Sequence, residues 1–277
     1  MCSRILSIAL LAGGAAAAQQ PSLPPTYGVQ TRFDRGQDVV PSFDGWVRNA
    51  DGTCAMVFGY LNRNYQEEPI IPPGPDNKLE PGPIDQGQPT FFLTRRHAWM
   101  FFAKVPCDWG SKELVWSITV NGRTEKAYGS MRMEEEILPR TVQSRGNLNP
   151  GTENPNKPPV ITLQPQPNVT VNTAVPLLAS VSDDGLPKPR VPKARAETAA
   201  GTAQTNSATV RRLPLNVAWM LYRGPAKAVF DPSAPIVVAE GKAVGSVRFP
   251  QPGTYVLRAV ANDGELQTIA DMTVVVK

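Results

Sequence analysis

Three runs in the second half of the chain, VPLLASV, LNVAWMLY and GTYVLRAVA, alternate apolar and polar residues with a period of two. That period puts Val175, Leu177, Ala179 and Val181 on one face of the first run, and Leu215, Val217, Trp219 and Leu221 on one face of the second. Only extended strands with one covered face meet that pattern. The first half repeats it around two-residue turns, Asp51-Gly52 in SFDGWVRNADGTCAMVFGYLN and Asn121-Gly122 in ELVWSITVNGRTEKAYGSM. Both dipeptides supply the positive φ that tight hairpins need. With 29 prolines and 22 glycines punctuating 277 residues, the chain reads as all-β. It is longer than one sandwich requires, so two β-sandwich domains in tandem are expected.

The opening text MCSRILSIALLAGGAAAAQQ has one charge, Arg4, an apolar run over residues 5–11 and a small-residue ending at Ala18. It reads as a signal peptide, residues 1–18, cleaved before Gln19. The apolar run is shorter than the roughly 20 residues that span a bilayer. The expected product is periplasmic or secreted, with no membrane insertion after cleavage. Of three cysteines, Cys2 leaves with the signal, and Cys54 and Cys107 remain to form a disulfide in an oxidising compartment.

An N-terminal sandwich is expected over residues 27–138, a Pro- and Asn-rich linker over 139–159, and a second domain over 160–277. Within the second domain, residues 186–213 are poor in large apolar side chains and read as a disordered insert. Residues 65–87 carry so many prolines that neither strand nor helix is expected; a loop that long marks a place of contact. In HAWMFFAKVP, alternation predicts Trp99, Phe101, Ala103 and Val105 on one face and Met100 and Phe102 on the other.

The C-terminal residues resemble the immunoglobulin-like modules of bacterial exported proteins, PKD and cadherin-like domains in particular. The resemblance rests on Trp219 in the third strand, on PGTYVLRAVANDG with Tyr255 two residues before the inward Leu257, and on the closing TVVV. It implies an immunoglobulin-like fold over residues 160–277. AWMLYRG stands where a PKD domain carries its Trp-Asp-x-Gly-Asp-Gly signature, so the subfamily stays open. The N-terminal domain is similar to uncharacterised exported bacterial proteins with phrases such as VFGYLNRNYQEE and DWGSKELVW, and this implies no activity.

Little in the chain reads as chemistry. Glu67 and Glu68, or Glu134 to Glu136, are adjacent and cannot face one another across a sugar as glycosidase carboxylates do. His97, the only histidine, has no partner phrase such as G-x-S-x-G. Trp46, Phe91, Phe92, Trp99, Trp109 and Trp116 could stack sugars, but at period-two positions they read as core. The 28 basic and 24 acidic residues name no partner, and the basic insert lacks interleaved aromatics, so no nucleic acid is expected.

One constellation stands out. SVSDDG and AVANDG end the second and sixth strands of an immunoglobulin-like sandwich, whose loops emerge at one end. Asp183, Asp184, Asn262 and Asp263 should therefore cluster. Turn chemistry accounts for all four and is the plainer reading; the sharper one is a calcium site of hard oxygen ligands, with no other cofactor expected. The sequence thus reads as an exported non-catalytic binding or structural module whose partner is a protein or glycan of the cell envelope. The alternative is a carbohydrate-binding or hydrolase accessory protein with its site at residues 65–87.

Overall fold

The structure, a computed structural model, describes residues 32–146, 154–166, 169–188 and 214–277, and residues 33–277 form one compact unit. The expected signal peptide, and the expected insert beyond Lys188, lie outside the described residues.

β1 (Val39–Arg48) and β2 (Cys54–Asn62) are the first predicted hairpin, turning through Gly52 at φ 83°. β3 (Asn77–Glu80) follows, then β4 (Arg95–Val105), β5 (Leu114–Val120) and β6 (Arg123–Gly129). The turn joining β5 to β6 has positive φ at both Asn121 and Gly122, as predicted. The strands form two antiparallel three-stranded sheets, β1-β2-β4 and β3-β5-β6. Their shared core is aromatic: Trp46, Phe58, Tyr60, Phe92, Phe101 and Trp116 interlock. The Cys54–Cys107 disulfide, with S–S 2.08 Å, ties the start of β2 to the segment after β4.

β3 corrects the expectation that residues 65–87 hold no strand. Its sequence NKLE lies in the longest proline-free interval of that segment, so its amides are free to pair with β5. A second correction concerns β4. Phe58 pairs with Phe101 and Tyr60 with His97, leaving three residues of β4 opposite Gly59, with Trp99 left-handed at φ 52°. This bulge re-phases the alternation. Met100 consequently joins Phe101, Ala103 and Val105 in the core, while Trp99 falls on the other face with Phe102. Asp44 holds the bulge: its carboxylate accepts from the Trp99 amide at 2.8 Å and from Arg96 Nη2 at 2.7 Å. A Cβ on Gly59 would stand 2.5 Å from the His97 carbonyl, so only glycine fits.

The run CAMVFGY is apolar at successive positions because β2 is covered twice. Met56, Phe58 and Tyr60 enter the sandwich core, while Ala55 and Val57 meet Val142 of α1 (Pro139–Gln143). Residues expected as the start of a linker thus form a short helix, opened by Pro139, that caps the outer face of the sheet.

The second sandwich comprises β7 (Val160–Leu163), β8 (Val175–Ser182), β9 (Asn216–Arg223), β10 (Val229–Asp231), β11 (Ile236–Val237), β12 (Lys242–Arg248), β13 (Gly253–Asn262) and β14 (Gln267–Val276). Its sheets, β10-β12-β8-β7 and β11-β9-β13-β14, are those of an immunoglobulin-like fold. One departure is that the short strand beside β12 precedes the short strand beside β9 in the chain. Tyr255 is buried and donates its hydroxyl to the Gln251 carbonyl at 2.9 Å, the corner expected of that tyrosine. Val217, Trp219 and Leu221 all face inward, as the alternation predicts.

Candidate functional site

The loops after β8 and β13 do meet. Each of the four expected residues first makes a local turn: Asp183 accepts from the Gly185 amide, Asp184 from Leu186, Asn262 from Gly264 and Asp263 from Glu265, at 2.6 to 3.0 Å. These are Asx turns, so the turn reading holds for all four. The remaining oxygens differ in fate. Asp184 gives its second oxygen to the Lys157 amide at 2.9 Å. Asn262 has spent its only side-chain oxygen on Gly264. Asp183 Oδ1 and Asp263 Oδ2 are buried and have no partner among the described residues.

A third orphan lies in the neighbouring segment. Asn156, 2% exposed, turns its amide nitrogen to Glu265 and leaves Oδ1 buried with no donor among the described residues. Among the described residues, five buried side-chain polar atoms lack a partner, and three of them are these acceptor oxygens. Burial, followed by the charges of Asp263 and Asp184, holds the Asp183 carboxyl above its ordinary value. No three acidic, histidine or cysteine side chains gather among the described residues, so any cation here would rest on two carboxylates and an amide. Sequence reasoning missed Asn156 and Glu265. The signal was topological: β7 runs antiparallel to β8, with Val160 opposite Ser182, so residues leading into β7 must pass the end of β8.

The second place where side chains converge is the seam between the sandwiches. Phe91 and Phe92 are adjacent, yet Phe91 packs in the core of the second sandwich and Phe92 in that of the first. Tyr222 makes the reverse crossing, leaving β9 to join the first core while Leu221 stays in the second. Around them, Tyr222 donates to the Gly87 carbonyl at 2.8 Å, and the amide of Thr90 donates to the Tyr222 carbonyl at 3.2 Å. Arg258, 5% exposed, donates from Nε and Nη2 to the two Asp271 oxygens at 2.8 Å, and from Nη1 to the Met100 carbonyl. Its guanidinium lies 3.8 Å from the Tyr222 ring centre. Burial disfavours that charge, but the Asp271 carboxylate and the other partners outweigh it and keep the Arg258 pKa above its usual value.

The loop singled out for contact, residues 65–87, sends two of its carboxylates to this seam: Asp85 pairs with Arg223 at 2.7 Å and Glu68 with Lys227 at 2.5 Å. The hydrogen bond from Arg223 holds Asp85 below the ordinary carboxylate range. His97 is partly buried in β4 against the Tyr60 ring at 5.2 Å, and burial lowers its pKa. Trp46, Phe91, Phe92 and Trp116 are buried in cores, while Trp99 and Trp109 are half-buried beside them. The signal for the seam was an arginine and a tyrosine on the outward positions of alternating strands.

No protein-family model matches the sequence, and no curated protein matches it. Solved structures with some likeness include a conjugative transposon lipoprotein from Bacteroides eggerthii, 10% identical over 42% of this chain and 95% of that one, with a TM-score of 0.27. Domains 4 and 5 of the S-layer protein SbsC are 8% identical over 63% of this chain and 69% of theirs, at 0.27. The D00-D0 domain of intimin is 12% identical over 87% of this chain and 100% of its own, at 0.28. Scores of this size carry no conclusion about this protein's function.

Proposed function

We propose that the protein is an exported, non-catalytic module of the cell envelope, periplasmic or secreted, in which two sandwiches act as one body toward an envelope protein or glycan. The observation that carries this is the exchange of Phe91 and Tyr222 between the two cores, which commits the seam to rigidity. The Cys54–Cys107 disulfide supports export, since such bonds persist in oxidising compartments. Among the described residues no helix is long and apolar enough to cross a membrane. The test joins cell fractionation to non-reducing mass measurement. The protein should be recovered outside the cytoplasm with both thiols resistant to alkylation until reduced; cytoplasmic recovery with free thiols would refute the proposal.

A second reading is favoured by the three orphaned oxygens. Asp183, Asp263 and Asn156 would hold a hard cation, calcium by its taste for carboxylate and amide oxygen, with backbone and water completing the shell. Asp184 and Asn262 would shape the loops and not ligate, since amides already occupy their oxygens. Thermal melts of the full chain in millimolar calcium and in chelator decide it. Calcium should raise the melting temperature of the parent and not that of Asp263→Asn. Equal melting of the parent in both solutions leaves these residues as turns.

A further inference from the structure

Beside the seam, the two sandwiches leave a cleft of about 490 Å³ that the fold itself does not fill. Small-molecule sites commonly span about 300 to 1,000 Å³ and sit between domains. Its walls come from different elements. Val47 of β1, Phe102 of β4 and Val142 of α1 bring hydrocarbon and a half-buried ring, while Gln143, Gln267 and Thr268 bring amides and a hydroxyl.

Two properties define what would fit. First, the charged lining residues are Arg258 and Asp271, and each neutralises the other through paired hydrogen bonds. The cleft therefore offers a ligand no net charge, and ionic ligands would lose hydration without a counter-charge. Second, the side chains of Gln143, Gln267 and Thr268 are half-buried yet hydrogen-bond to no described residue. Carboxamides and hydroxyls both donate and accept, so they suit groups that do the same. Next to them stand Phe102 and the two valines, surfaces for methyl groups and C–H faces.

We propose that this cleft binds an uncharged oligosaccharide bearing N-acetyl groups. The acetamido methyl and a sugar C–H face lie against Phe102 and Val142; the amide and hydroxyls are read by Gln143, Gln267 and Thr268. Gln86 and Gly87, the end of the long loop, form part of the lining. The inference goes beyond the envelope-module reading. It can fail while fractionation and disulfide results stand, and those can fail while it stands.

The experiment is isothermal titration of the full chain with triacetylchitotriose and, separately, with cellotriose, which has the same linkage and no acetamido group. Triacetylchitotriose should bind at least about tenfold tighter, a difference of about 1.4 kcal/mol. Gln267→Leu and Phe102→Ala should each weaken it about tenfold or more. Gln267 opens β14 and its side chain hydrogen-bonds to no described residue, so its variant should melt as the parent does, and a normal melt with lost binding separates recognition from folding. Binding of neither sugar, equal binding of both, or full binding by Gln267→Leu would each overturn the proposal.

Discussion

The seam and the loop end of the second sandwich both bury polar groups, and they treat them in opposite ways. At the seam, Arg258 is nearly enclosed, and Asp271, the Met100 carbonyl and the Tyr222 ring surround it. At the loop end, Asn156, Asp183 and Asp263 bury oxygens that no described residue meets. A buried polar group without a partner costs about 1 to 3 kcal/mol, so the first arrangement is self-sufficient and the second carries that cost. The contrast separates polar groups that the fold itself satisfies from polar groups that no described residue satisfies.

Removing the hydrophobic half of the seam should have the largest effect. Phe91→Ala empties a filled position in the second core and should cost about 3 to 5 kcal/mol in urea unfolding. It should also split one cooperative transition into two, because the packing that joins the sandwiches is lost. A single unchanged transition would show that the seam does not couple them.

Arg258→Met comes next. It leaves the Met100 carbonyl without its donor, while Asp271, 37% exposed at its side chain, regains water. A loss of about 1 to 3 kcal/mol is expected. A neutral outcome would mean that the pair can be replaced by apolar packing, as buried ion pairs sometimes can.

The smallest effect should come at the loop end, and there its sign is the test. The folded-state pKa of Asp183 lies above the ordinary value of 3.8, so the folded protein binds that proton more tightly than the unfolded chain. The stability this contributes is fully present below the unfolded pKa and is lost as pH rises through the folded value. In chelator, the parent should therefore lose stability relative to Asp183→Asn as pH rises through that window, and the variant should melt slightly higher at neutral pH. In calcium the order should reverse, because the variant loses a ligand. An Asp183→Asn variant that melts lower than the parent in both solutions would assign the residue to the turn alone.

The sequence made much of the fold legible, for local reasons. Asn121-Gly122 and Asp51-Gly52 turn where their φ preferences demand, and Val217, Trp219 and Leu221 face inward because alternation has no other solution in a sandwich. What stayed hidden depended on other parts of the chain. Met100 changed faces because a bulge opposite Gly59 re-phased its strand, and no periodicity announces a bulge. β3 hid among prolines, and α1 hid in text that reads as linker. The loop end was half legible: topology brought Asp183 and Asp263 together, but the composition of NPNK gave no sign that Asn156 belonged with them. The seam was least legible, since Arg258 and Tyr222 look like ordinary solvent-facing residues until a second domain covers them.

The crossed placement of Phe91 and Phe92 also limits how this protein can be cut and rejoined. A tandem of independent modules tolerates deletion, duplication or exchange of either half by recombination at the connecting segment. Here such an exchange would take Phe91 away with the first half, leaving a hole in the second core, and would strand Tyr222 on the surface of the second sandwich. A one-residue insertion between the two phenylalanines would have a similar result, since each must reach a different interior from neighbouring positions. The heritable unit is thus the pair of sandwiches, and the second sandwich grafted alone onto a foreign partner should arrive damaged.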